Sequence, residues 1–272
     1  MERSVRCVIV VIALLLVQSF APMASADDQP GSSVEDIRKL KQNPVSGLRS
    51  VFLQNTVGTT NGDPIDVFSV QPVWPFRLGA DWKLITYTIV PFVHLPPIRG
   101  NDSVDGLGNI LFNGYFAPEK SDGPITWGIG PAVDLPTRTD SALGSNRVSL
   151  GPAALVYGVA GPFSAGLVLQ NIWSVGGHGA NRVNALGAQY IFNYNLPKGW
   201  YLESNSTIEA DWTASDSDRW TVPVGAGFGR VFQIPWSKLF YSASIQGFDN
   251  VVRPDGAPVW TVIAQLQIII SQ

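Results

Sequence analysis

Cysteine is nearly absent from these 272 residues: Cys7 is the only one. Beyond it no disulfide can form, and no thiol serves as nucleophile or metal ligand. Histidine is almost as rare, with His94 and His178 alone, so the clustered imidazoles and thiolates of a zinc site are missing. Charged residues make up only 14% of the chain, against about 25% in an ordinary soluble domain. Basic residues hold no excess, 18 against 21 acidic, and this excludes the basic face that nucleic acid requires. Long apolar runs are missing after the N-terminal region. The longest, 259–270, is interrupted by Gln265 and Gln267, so helical membrane spans are not expected.

What is present begins with an export signal. Arg3 and Arg6 precede an unbroken apolar run from Cys7 to Val17, and Ala24-Ser25-Ala26 forms a small-x-small cleavage site. The run is too short to cross about 30 Å of hydrocarbon as a helix, so cleavage after Ala26 is expected. No cysteine stands at the cleavage site to carry lipid. Without Glu2, Arg3 and Arg6 the chain keeps 16 basic and 20 acidic residues. Val34, Ile37 and Leu40 repeat at helical spacing, which predicts a short helix over 34–41 that Pro44 ends. The domain reading is a signal peptide at 1–26, a periplasmic N-terminal segment at 27–47, and one β-domain at 48–272.

From Leu48 onward apolar and polar residues alternate. Twelve strands are predicted, near 48–58, 65–76, 82–94, 107–117, 124–135, 147–158, 162–174, 183–196, 199–212, 219–231, 239–248 and 259–271. They are longer than the usual strand of about 5–6 residues and match the length of a tilted transmembrane strand. Strand 124–135 sets Ile125, Trp127, Ile129, Val133 and Leu135 against Thr126, Gly128, Gly130, Ala132 and Asp134. Tryptophans cluster near strand ends, at Trp74, Trp82, Trp173, Trp200, Trp212, Trp220 and Trp260, where interfacial girdles lie. Connections alternate between short turns and longer polar loops, apart from the first gap and 232–238. These features predict an all-β, transmembrane, antiparallel up-and-down barrel whose two termini share one end, the periplasmic end. Pro72, Pro91, Pro131, Pro152 and Pro223 fall inside the strands, and β-bulges are expected to absorb them. Inward glycines, Gly128, Gly130 and Gly229 among them, leave room for larger side chains opposite.

In strand 199–212, Glu203, Asn205, Glu209 and Asp211 oppose Trp200, Leu202, Ile208 and Trp212. Charges facing hydrocarbon are costly, so these residues, with Asp134 in the same phase, are predicted to face the lumen. A carboxylate stripe there favours cations. Catalysis finds no support. No nucleophile motif surrounds Ser204, Ser206 or any other serine, and His94 and His178 read as loop or rim residues. Asp211, Asp216 and Asp218 read as a solvated acidic loop. No cofactor and no metal are expected. The expected partners are outer-membrane lipid, the barrel-assembly machinery and small-molecule solutes. Two functions remain. One is a channel or transporter for small molecules. The other is a structural or binding barrel whose lumen is plugged, with Tyr201, Leu111 and the 34–41 segment as the obstruction.

Certain segments look familiar in order along the chain: Gln42-Asn43-Pro44-Val45, Gln71-Pro72-Val73-Trp74-Pro75-Phe76, Trp127-Gly128-Ile129-Gly130-Pro131, Gly161-Pro162-Phe163, Asn171-Ile172-Trp173-Ser174 and Asp211-Trp212. With these the chain resembles the outer-membrane family named for the MetA pathway of phenol degradation, whose transporter-like members are sometimes labelled neuromedin U. The resemblance implies an outer-membrane barrel of a Gram-negative bacterium that passes small hydrophobic or aromatic compounds. The chain departs from that pattern at Tyr87, where arginine is usual, and in ending Ile268-Ile269-Ile270-Ser271-Gln272 rather than on an aromatic residue.

Overall fold

The computed structural model describes residues 34–60, 63–97, 102–120, 123–178, 182–234, 236–237 and 239–270. The expected signal peptide and the start of the following segment lie outside the described residues. After the helix α1 (Val34–Gln42) the chain forms β1 (Arg49–Thr60), β2 (Asp63–Leu78), β3 (Trp82–Leu95), β4 (Val104–Leu107) and β5 (Ile110–Pro118). There follow β6 (Ile125–Leu135), β7 (Arg147–Ala160), β8 (Phe163–Gly177), β9 (Asn184–Asn195) and β10 (Trp200–Asp211). The sheet ends with β11 (Trp220–Gln233), β12 (Phe240–Val252) and β13 (Trp260–Ile270).

Apart from β4 and β5, consecutive strands pair antiparallel, and β1 also pairs with β13 from Arg49↔Ile270 to Gly58↔Thr261, which closes the sheet on itself. The predicted strand at 107–117 is split. β4 and β5 both pair with β3, on either side of Gly108 and Asn109, so together they make one stave of a twelve-stave barrel. Closure leaves no unpaired edge, the condition for strands in hydrocarbon. No helix among the described residues is long and apolar enough to cross a membrane.

The alternation seen in sequence is the alternation of the wall. In β6, Ile125, Trp127, Ile129 and Leu135 are exposed on the outside while Ala132 is fully buried within. Exposed Phe92, Leu167, Leu169, Leu202 and Phe228 continue the apolar outer belt around the barrel. Aromatic contacts mark both of its margins. Trp82 meets Trp127 edge-on at 6.1 Å near one end, and Trp212 meets Trp220 edge-on at 5.5 Å near the other. Arg49 lies over the Trp74 ring and Arg219 over the Trp212 ring, as guanidinium groups do at a wet interface.

The prolines are accommodated in more than one way. Pro223 coincides with a register shift against β12, the expected bulge. Pro91 sits where β3 passes from β5 to β4, and its carbonyl accepts the Gly108 N–H. Pro131 and Pro152 instead face each other across β6 and β7.

Candidate functional site

The end of the barrel at which β1 begins and β13 ends, called here the inner end, is stoppered from within. α1 is a nine-residue helix, too short to be stable alone, so its barrel contacts must hold it. Ile37 is 1% exposed and packs with Tyr201, Val231, Phe240 and Ile269, all near the inner ends of their strands. Arg38 donates to the Leu196 and Trp200 carbonyls and pairs with Glu35 at 2.8 Å, and Glu35 accepts the Gly199 N–H. Gln42 donates to Asn195 and accepts from Ser164. Asn43 accepts the Val45 N–H, closing a turn, and the Thr126 hydroxyl, while Val45 is buried in the apolar wall. The familiar Gln42-Asn43-Pro44-Val45 sequence is therefore the stopper's anchor.

Above the stopper lies a cavity of about 600 Å³. Its walls differ. On the β5–β7 side the interior is filled: Val45, Ile85, Tyr115, Ala117, Ala132, Ala153 and Leu155 form one buried apolar cluster, with Val73, Tyr87, Val168 and Ile172 against it. Glycine makes this filling possible. A Cβ at Gly130 would overlap the Gly114 carbonyl oxygen. The opposite wall is polar, with Gln54 and Thr56 on β1, Gln189 and Asn193 on β9, Gln246 and Asn250 on β12, and Gln265 and Gln267 on β13. Several of these amides donate to neighbouring polar side chains: Gln265 to Gln54, Gln189 to Asn205, and Gln267 to the Ser50 hydroxyl.

The charges lining the cavity are Lys41, Glu203 and Glu209. Lys41 Nζ donates to the Tyr201 hydroxyl at 2.8 Å and lies 4.0 Å from the centre of the Tyr201 ring. Tyr201 is 1% exposed, and its hydroxyl also bonds Ser242. A Cβ at Gly229 would overlap the tyrosine ring, so glycine there is what lets Tyr201 turn inward. Glu203 is 6% exposed, and its Oε1 has no hydrogen-bond partner. The neighbourhood of Glu203 lowers in part the cost of burying Lys41, but burial dominates and brings the ammonium down to about 8 from 10.5.

The structure separates the acids that strand phase had grouped. Glu203, Asn205 and Glu209 line the cavity. Asp134 shares the inward phase of Ala132 but accepts a bond from Asn109 outside the cavity lining. Asp211 is at the rim, where it caps the Thr213 N–H and hydroxyl. A further acid went unnoticed in the sequence. Asp66, with Asn55 donating to it at 2.6 Å, has by register the outward phase of Phe68 and Phe92, and neighbouring side chains close the pair off. Next to it His94 bonds Asp105 at 2.7 Å. In the acidic loop, Asp216 pairs with Arg219 and Asp218 accepts the Asp255 N–H, a bond that holds its carboxyl below the usual range. Among the described residues, no three His, Cys, Asp or Glu side chains come together as metal ligands would.

This geometry is that of a closed antiparallel β-barrel with one end occupied. No protein-family model matches the chain, and no curated protein matches it by sequence. Among solved structures, an outer membrane channel from Pseudomonas putida F1 aligns with a TM-score of 0.64 at 15% identity, covering 82% of this chain and 96% of that one. The NanC porin aligns with a TM-score of 0.50 at 10% identity, covering 82% of this chain and 100% of that one. At such identity the likeness establishes the fold and nothing finer.

Proposed function

We propose that this protein is a passive outer-membrane channel for small molecules, closed at its inner, periplasmic end by residues 34–47. The carrying observation is a cavity of about 600 Å³ inside a closed barrel, lined by amides, hydroxyls and two carboxylates. A wall of that polarity stays wet, and its volume is that of a small-molecule site. The apolar side, with Tyr87 and Tyr115, gives aromatic or hydrophobic solutes a surface, in keeping with the resemblance to the phenol-degradation family, to which we assign the chain. Glu203 and Glu209 within the cavity and Asp211 at the rim give the path its acidic character, with Asn205 as a neutral polar neighbour, and cations pass in preference to anions.

The docked helix also favours the second reading, a plugged binding barrel without transport. Planar-bilayer recording separates the two. The channel reading expects small, flickering conductance from the full chain and a larger, steady one when residues 34–42 are removed, provided the shortened protein keeps the heat-dependent gel mobility of a folded barrel. A folded, silent bilayer in both cases refutes transport. Fractionation that leaves the protein soluble in the periplasm refutes the location.

A further inference from the structure

We infer that Tyr201 and Glu203 form a recognition site for small organic ammonium ions, which the stopper's own Lys41 occupies in the closed state. A carboxylate beside an aromatic face and a hydroxyl is what binds an ammonium ion: the carboxylate supplies charge, the ring its negative face, and the hydroxyl an acceptor. The hydroxyl and the ring meet at Lys41, whose Nζ is 2.8 Å from the Tyr201 hydroxyl and 4.0 Å from the ring centre; Glu203, two residues further along β10, is the neighbouring charge and makes no direct ion pair with it. Two independent observations say that the site is not exhausted by the lysine. Glu203 is 6% exposed yet keeps Oε1 without a donor, and a buried acceptor left unpaired is costly. Both Lys41 and Glu203 line the cavity, so the site opens onto the space through which a solute arrives.

The resident cation is also poorly compensated. Buried beside Glu203 without a direct ion pair to it, the ammonium is held in place by its tether. A free ammonium ion reaching Glu203 from the cavity gives Oε1 a donor and, as it displaces Lys41, takes the lysine's place against the Tyr201 hydroxyl and ring. The apolar wall opposite, with Ile85 and Tyr87, takes its hydrocarbon part. The ligand class is therefore an amine with a small apolar or aromatic body, and its binding displaces Lys41 and loosens the stopper. The inference rests on the channel reading only for the route by which the solute arrives.

The test is calorimetric titration of the full-length protein in detergent at pH 7 with benzylammonium, and with benzyl alcohol as its uncharged counterpart. Lys41→Met removes the competitor and should tighten benzylammonium binding by about tenfold or more, as expected when a tethered competitor is deleted. Glu203→Gln keeps the shape and should weaken binding at least as much, and should cancel the gain in a Lys41→Met background. Benzyl alcohol should bind all variants alike. Unchanged affinity in Lys41→Met, or wild-type affinity in Glu203→Gln, overturns the site. Should Glu203→Gln misfold, the Lys41→Met result decides alone. Parallel bilayer recording keeps the two readings apart: binding with a silent bilayer sinks transport only, and conductance without binding sinks this site only.

Discussion

Replacing Ile129 with arginine tests the outer face of the barrel at the depth where the answer is largest. Ile129 is the fifth residue of β6, is 55% exposed, and pairs with Phe116 and Ala154, so its side chain stands clear of the wall on the lipid side. An arginine on the lipid face of a barrel costs about 2–4 kcal/mol at the midplane and about 0–1 kcal/mol near the interface. Ile125 has the same phase and is 58% exposed, but it begins the strand beside the inner turn. Four residues at about 3.3 Å each, tilted by about 40°, put it roughly 10 Å nearer the headgroups. Ile129→Arg should therefore lower the folding constant by about 30-fold to 10³-fold, since about 1.4 kcal/mol is tenfold, whereas Ile125→Arg should change it by less than about tenfold. Tryptophan fluorescence during reversible unfolding in lipid vesicles measures both. Equal costs at the two positions, or a cost below roughly 0.5 kcal/mol at Ile129, within the range of ordinary surface changes, would refute the assignment of this face to lipid.

Three further outcomes follow from the lumen. Gly229→Ala places a methyl group on the Tyr201 ring, an overpacking that should destabilise the barrel by about 1–3 kcal/mol and raise the open fraction in bilayer recordings; an unchanged melting profile would contradict the tight fit. Glu209 has no ion-pair partner among the described residues, so Glu209→Gln should weaken cation preference, more at low salt than at high salt. Reversal potentials across a salt gradient read this, and anion preference in the unmodified protein ends the idea. Docking holds Lys41 at about 8 against 10.5 when free, so the undocked helix binds more protons between those values and docking strengthens as pH rises through that window, by about 3 kcal/mol at most. A spin label at the exposed Lys39 should grow less mobile from pH 8 to 10, with Lys41→Met insensitive; mobility that rises with pH contradicts the sign.

Strand phase was legible because a period of two survives small errors of boundary. Ile129 and Leu202 fall on the exposed outer face whether or not the strand ends are placed correctly. The split between β4 and β5 was not legible, because Gly108 and Asn109 read as an ordinary strand interior until the folding of Thr139 against Leu107 and of Thr137 against Gly108 is seen. The stopper was half legible. Val34, Ile37 and Leu40 announce an apolar helix face in the sequence, but that Ile37 packs against Tyr201, far along the chain, cannot be read from local pattern. The filled side of the lumen escaped for a different reason. Small inward residues such as Gly130 and Ala132 look the same whether they border water or a neighbouring backbone, and only the structure puts Gly114 and Tyr115 against them. Depth is likewise invisible to phase, which is why Asp134 and Asp211 shared the parity of Glu203 without sharing its cavity.

The polar wall owes part of its character to a defect in the ladder. β10 pairs with β11 through Glu203↔Gly227 and again from Glu209↔Thr221, with no partners for Ser204–Ile208 between. The interruption lies opposite Pro223, which has no N–H to give, and beside the register shift at Val222/Pro223. Open backbone in a membrane wall must be repaid with other hydrogen bonds, and side chains supply them. The Asn205 N–H donates to Gln246, Ser204 donates to the Gly225 carbonyl, and Tyr190 donates to the Pro223 carbonyl. Because the strand leaves its neighbour here, Asn205, Ser206 and Thr207 all border the cavity, which strict alternation would forbid. The amides that make the lumen hospitable to polar solutes are thus in part the groups that keep the wall closed. β10 carries both the repaired stretch and the carboxylates Glu203 and Glu209 at its two ends. One strand therefore supplies both carboxylates of the cavity and part of its polar wall.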